Sequence, residues 1–394
     1  MQETWRWFGP NDPISLNHVK QAGATGIVTA LHDIPAGEIW PVEAIEARKA
    51  LIEAAGLEWT VIESIPMHND IKSRTGDYVQ LIENYKTTIK NAAACGITTI
   101  CYNFMPVVDW TRTNLAWELP NTAQALRFEM TDYIAYDVYI LERENAVNDY
   151  TESQLARARA RFDAMTNDEK ALLEKNIIAG LPGGEGSYTR ASIKAAIAQY
   201  VALGTEGLRA NLYAFLQAII PVAESAGARM CIHPDDPPFP LFGLPRVVST
   251  ADDVRGLLNA APSPANGITL CVGSYGVRLD NDLPAMAREF GEKIYFAHLR
   301  NVKTEADGSF FEDDHLAGNV DMVQVIDALL AEEARRARDG HAQAAIPLRP
   351  DHGHLMGDEI GRAKVNPGYS YIGRLKGLAE LRGIIHTLNS LKSY

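Results

Sequence analysis

Eight short apolar runs recur along this chain, each closed by a polar residue or a Gly/Pro break. They are TWRWFG (4–9), GIVTAL (26–31), WTVIES (59–64), TTICYNF (98–104), RMCIHP (229–234), ITLCVG (268–273), IYFAHLRN (294–301) and AIPLRPDH (345–352). Their length and their β-branched and aromatic content read as strands buried on both faces. Most gaps between them hold a helical pattern, at 42–56, 78–96 and 320–337, each starting after a turn and ending near glycine or a polar cluster. Strands that alternate with helices pair in parallel, and eight such units predict an α/β fold of the (β/α)8 barrel type, with residues 1–394 as a single domain.

One stretch breaks the rhythm. Residues 105–200 separate the fourth and fifth strands and are rich in Ala, Arg, Glu and Asp, as in TESQLARARARFDAMTNDEKALLEKNIIAGL. That is too long for one crossover helix. It predicts a mostly helical insertion, partly a lid, that packs over or beside the C-terminal mouth of the barrel, followed by a returning helix near 208–226. The Gly-rich GLPGGEGSYT (180–189) lacks the Walker lysine pattern and follows no clear strand, so a turn is expected there rather than a phosphate loop.

Charge narrows the function. A net charge of -13 opposes nucleic acid and anionic membrane surfaces, while leaving a local site for a small anion open. The four cysteines, Cys95, Cys101, Cys231 and Cys271, form no CxxC pair, so no disulfide framework is expected. The N-terminus MQETWRWFGPNDP has no signal-peptide pattern, and no apolar run approaches a membrane span. A cytoplasmic protein is expected.

In this fold the chemistry gathers at the C-terminal ends of the strands. The predicted ends carry His32, Glu63, Asn103, His233, Cys271, His298 and Asp351 with His352. A lone strand-end histidine reads equally well as a hydrogen-bonding residue. His233, Cys271, His298 and Asp351 fall on four consecutive strands, and two imidazoles, a thiolate and a carboxylate suit a transition-metal dication better than Mg²⁺ or Ca²⁺. Buried cysteine is often only a small hydrophobe; of Cys231 and Cys271, the second ends its strand and is favoured. Arg278, Arg300 and Lys303 are cations suited to a sugar-acid carboxylate, or else solvated loop residues. His354 and Tyr371 stand nearby. In IHPDDPPFP (232–240), Asp235 and Asp236 either orient neighbouring groups or a substrate hydroxyl, or close a cap or Asx turn.

The ordered set TWRWFGPNDP, GATGIVTALHDIP, IHPDDPP, HLRNV, RPDHGH and NPGYSY resembles the mannonate dehydratase family, up to about residue 377. The resemblance implies a xylose-isomerase-like barrel and loss of water from D-mannonate to give 2-dehydro-3-deoxy-D-gluconate in hexuronate catabolism. It implies Mn²⁺ or Fe²⁺ as cofactor, with His233, Cys271, His298 and Asp351 as ligands and His352 and Tyr369 as the acid–base pair. The chain has PGYSYIGR where many members carry a PGYGLYDR-like stretch, which keeps Tyr369 in place and leaves Tyr371 without a role. Arg6, His32, Asn103, Asp235, Arg278, Arg300 and Lys303 are the substrate-binding candidates. A homo-oligomer, with a dimer favoured, is expected. The rival readings are a metal-dependent sugar isomerase or epimerase, an endonuclease that the acidic charge opposes, and a non-catalytic sugar-acid binder.

Overall fold

The computed structural model describes residues 1–179, 188–341 and 343–392. Eight parallel strands close into a barrel in chain order: Gln2–Arg6, Gly26–Thr29, Glu58–Glu63, Thr99–Tyr102, Arg229–Ile232, Asn266–Cys271, Ile294–His298 and Pro347–Arg349. The first pairs with the last through Gln2 opposite Pro347. All eight overlap the predicted runs. Their residues are almost all buried, as expected where helices cover the outside and side chains fill the inside.

The inward face follows the two-residue strand period. Val28, Val61, Cys101, Cys231, Tyr295 and Phe296 form one buried cluster. Two residues further along, the same faces of four strands carry Glu63, Asn103, His233 and His298. The strand period thus sets an apolar layer beneath a polar one at the C-terminal mouth. It also separates the cysteines: Cys231 lies a layer below His233, opposite Cys101, with its Sγ 3.4 Å from the Ile100 carbonyl. The larger apolar core lies between the barrel and its helices, among them Val42–Ala54, Tyr78–Ala94 and Met322–Arg338.

The insertion is not wholly helical. It contains the helices Met130–Ala135, Glu152–Ala164 and Asn167–Ala179, but also two strands, Asn114–Glu118 and Gln124–Phe128. These pair antiparallel with Phe310–Asp313 and Asn301–Thr304, which follow barrel strand seven, in a separate four-stranded sheet. Phe128 stands opposite Phe310 in the register, with the rings stacked 5.5 Å apart. Gln124 exchanges backbone hydrogen bonds with Leu355 beyond strand eight, so the sheet is tied to the barrel mouth. The predicted returning helix is the later part of Arg190–Ser225, which breaks at Gly204 (φ 70°). Of the Gly-rich segment, 180–187 lie outside the described residues. No described helix is long and apolar enough to cross a membrane.

Candidate metal and catalytic site

His233, Cys271 and His298 converge, with donor atoms all within 4.8 Å of one another and all three side chains buried. The Nδ1 of His233 lies 2.7 Å from the Pro234 carbonyl, an acceptor only, so Nδ1 carries the proton and Nε2 keeps a lone pair. Burial pushes this imidazole's pKa down, which keeps it neutral. Trp110 sets its indole against the ring at 5.5 Å. Cys271 ends strand six, and the Ser274 amide and hydroxyl lie 3.4 and 3.1 Å from its Sγ.

His298 supplies the sharpest sign of a missing partner. Its Nε2 is 3.2 Å from Glu63 Oε1 and 3.1 Å from Arg349 Nε, while its Nδ1 is buried with no hydrogen-bond partner. Buried polar atoms are rarely left unpaired. A cation at Nδ1 satisfies the atom; Nε2 then carries the proton and donates it to Glu63 Oε1, in place of accepting from Arg349 Nε, in the carboxylate–histidine arrangement that orients metal ligands. The donor set therefore fits a divalent transition metal.

Asp351 lies beside this trio. Its Oδ2 is 3.7 Å from both Cys271 Sγ and His298 Nδ1, and it also accepts from Arg300 Nε at 2.7 Å; its Oδ1 accepts from Arg349 Nη1. Its φ is 65°, a left-handed conformation that aspartate tolerates better than most residues. Burial alone would raise its pKa, but Arg349, His352, His298 and Arg300 hold it well below the usual carboxylate range.

Around the mouth runs a buried ionic network. Asp236 accepts from both Arg112 and Arg300; Glu312 Oε1 accepts from Arg112 Nη2 at 2.8 Å and Arg300 Nη1 at 2.6 Å. Arg349 joins Asp351 to Glu63, with 3.0 Å to Glu63 Oε1. Arg300 fits because Gly273 leaves room: a Cβ there would stand 2.5 Å from Arg300 Cγ. Sequence reasoning passed over Arg112, Arg349 and Glu312. Arg349 had a signal, two residues before Asp351 on the same strand. Arg112 and Glu312 belong to segments whose arrangement the sequence pattern did not reveal.

His352 and Tyr369 come together at the mouth, their rings 5.0 Å apart and edge to face. His352 Nδ1 is 3.2 Å from Glu312 Oε1, and both residues line a cavity of about 190 Å³ between the small sheet and the segment after strand eight. Burial pushes the Tyr369 phenol above its usual pKa. Arg6 lies over Phe8, which meets Tyr369 edge to face. Among the described residues the Arg6 Nε has no hydrogen-bond partner, and the Arg6 Nη1 faces Glu63 Oε2 as an ion pair at 3.5 Å.

The other substrate candidates divide. His32 is exposed, its ring 5.9 Å from Phe8. Asn103 accepts from the Met105 amide at 3.2 Å and shapes a turn. Asp235 accepts from the Val248 amide at 2.7 Å and the Ser249 hydroxyl at 2.8 Å, tying down the proline-rich loop. Arg300 is consumed by the ionic network. Arg278 pairs with Asp280 near the surface, and Lys303 is exposed on the small sheet, so the structure does not gather these two with the metal donors. Tyr371 packs against Trp5 and His18.

Two imidazoles and a thiol converging at the C-terminal rim of a (β/α)8 barrel define a metal-dependent enzyme. Residues 1–394 match the family described as D-mannonate dehydratase (UxuA). The chain belongs to that family, whose members are hydro-lyases. It is 68% identical over 392 residues to a mannonate dehydratase of Saccharophagus degradans, covering 100% of this chain and 99% of the relative. It is 60% identical over 388 residues to mannonate dehydratase 2 of Agrobacterium fabrum, covering 98% and 97%. The crystal structure of mannonate dehydratase from Streptococcus suis serotype 2 superposes with a TM-score of 0.77 at 36% identity, covering 99% of this chain and 94% of that one.

Proposed function

We propose that this protein removes water from D-mannonate to give 2-dehydro-3-deoxy-D-gluconate, using Mn²⁺ or Fe²⁺ held by His233, Cys271, His298 and Asp351. The observation that carries the reading is the buried, unpartnered Nδ1 of His298 among converging metal donors, beside the His352–Tyr369 pair. Bound there, a divalent ion supplies positive charge where negative charge develops as the proton α to the substrate carboxylate leaves.

The chain's own groups move the protons. One takes the C2 proton and the other protonates the departing C3 hydroxyl, and the resulting enol becomes the 2-keto acid. Burial keeps the Tyr369 phenol protonated. That supports Tyr369 as the donor to the leaving hydroxyl and His352 Nε2 as the acceptor of the C2 proton. Arg6, whose Nε has no hydrogen-bond partner among the described residues and whose Nη1 stands 3.5 Å from Glu63 Oε2, is suited to the substrate carboxylate, and His32 and Asn103 are suited to hydroxyls at the rim. The test is direct. Protein reconstituted with Mn²⁺ or Fe²⁺ is mixed with D-mannonate, and a 2-keto-3-deoxy acid is sought by proton NMR. Its absence with both metals would sink the proposal.

A further inference from the structure

We infer that Glu312, delivered to the mouth by the small sheet, is the positioning residue for His352: its carboxylate fixes the imidazole with the proton on Nδ1 and leaves Nε2 to meet the substrate. The inference rests on His352 being one of the two proton-transfer groups.

Three observations carry it. The first is the contact itself, 3.2 Å from His352 Nδ1 to Glu312 Oε1, with both side chains buried. The second is the state of the carboxylate. Arg112 and Arg300 both donate to the same Oε1, so the oxygen facing His352 is ionised and has no proton to give. The shared proton therefore sits on the imidazole, and the tautomer follows. The third is that the carboxylate is itself fixed. Glu312 stands opposite Val302 in the sheet, and its backbone carbonyl lies 3.0 Å from His354 Nε2. With Nδ1 engaged, Nε2 turns to the other side, 3.8 Å from Asp351 Oδ1.

The competing role is that of a plain counter-ion for Arg112 and Arg300. Two variants of the full-length protein separate the two. Glu312→Gln keeps an acceptor oxygen and loses the charge; Glu312→Ala loses both. Nitrogen-15 histidine NMR of the metal-free protein, with His352 assigned through His352→Asn, reads the tautomer. Steady-state kinetics on D-mannonate and Mn²⁺ titration read the rest. We expect an Nδ1-protonated His352 in the wild type, retained in Glu312→Gln together with most of the turnover. In Glu312→Ala that resonance is lost and kcat falls by about 10- to 100-fold, the usual effect of removing a group that orients an active-site histidine, with KM and Mn²⁺ affinity unchanged. A wild-type His352 protonated on Nε2 overturns the inference even if Glu312→Ala fails to fold. So does a folded Glu312→Ala with full kcat, or a Glu312→Gln that keeps the tautomer yet is as slow as alanine. A wild type with the Nδ1 tautomer that never dehydrates D-mannonate overturns the proposed reaction instead, and leaves the hydrogen bond standing.

Discussion

Replacing Asp236 with asparagine removes one negative charge from between two buried guanidiniums. Its Oδ1 accepts from Arg112 Nη1 at 2.7 Å; its Oδ2 accepts from Arg112 Nη2 at 3.1 Å, from Ser274 Oγ at 3.1 Å and from Arg300 Nη2. Burial alone would raise this carboxyl's pKa, but Arg112 and Arg300 bring it from 3.8 down to about 2. At about 1.4 kcal/mol per unit, the charged form gains roughly 2 kcal/mol from its surroundings. Asparagine does more than neutralise, because its amide sets N–H donors against guanidinium donors. Breaking a buried ion pair from one side costs about 3–5 kcal/mol, so the variant should lose toward the lower end of that range. Urea unfolding of the two metal-free proteins near neutral pH measures it. The sign with pH follows from a depressed carboxylate pKa. The stabilisation is complete above the unfolded value near 4 and fades as pH falls through about 2, so the two unfolding curves should approach each other in acid. Stabilities within about 0.5 kcal/mol at neutral pH, the scatter of ordinary surface changes, would refute the reasoning.

Further outcomes are expected at the site itself. His298→Ala should keep the fold and lose Mn²⁺ binding and activity; circular dichroism with metal titration checks it, and a metal-replete, active variant removes that ligand from the scheme. Glu63→Gln should weaken Mn²⁺ binding by about 10- to 100-fold through His298, measured by competition with a chelating dye; unchanged affinity excludes Glu63 from holding the ring. Tyr369→Phe should bind metal normally and lose turnover by roughly 100-fold or more, while still exchanging the C2 proton of D-mannonate with D₂O; His352→Asn should lose that exchange. If only the tyrosine variant loses exchange, the two roles are reversed. Gly273→Ala should lower both stability and Mn²⁺ affinity by pushing Arg300 away from Asp351, and a silent substitution would show that Arg300 has room to move.

The barrel was legible because its strands are buried on both faces, so each is a continuous apolar run with a sharp end. The same ends marked His233, Cys271 and His298, since inward-facing positions at a strand terminus have one place to converge. The small sheet was not legible. Asn114–Glu118 alternates between exposed and half-buried residues, and Phe310–Asp313 is only four residues long, so neither makes an apolar run. With the sheet went Glu312 beside His352 and Arg112 beside Asp236, contacts 40 and 124 residues apart along the chain that only the tertiary pairing creates. Arg278 and Lys303 were nominated by nearness in sequence to Cys271 and His298. Arg278 follows the short helix Val272–Gly276 and Lys303 takes an exposed position on Asn301–Thr304, so nearness in sequence brought neither to the metal donors.

The pairing of Gln124–Phe128 with Phe310–Asp313 bears on how this enzyme can be altered. Loops on a (β/α)8 barrel are commonly treated as separable modules, each free to vary over an indifferent scaffold. Here the segments after strands four and seven share backbone hydrogen bonds, and each ends on charges the other must neutralise. A chimera that takes one of them from a distant relative inherits an unpaired edge and an orphan carboxylate or guanidinium. The two have to be exchanged together, so they form a single unit of inheritance although 172 residues separate Phe128 from Asn301.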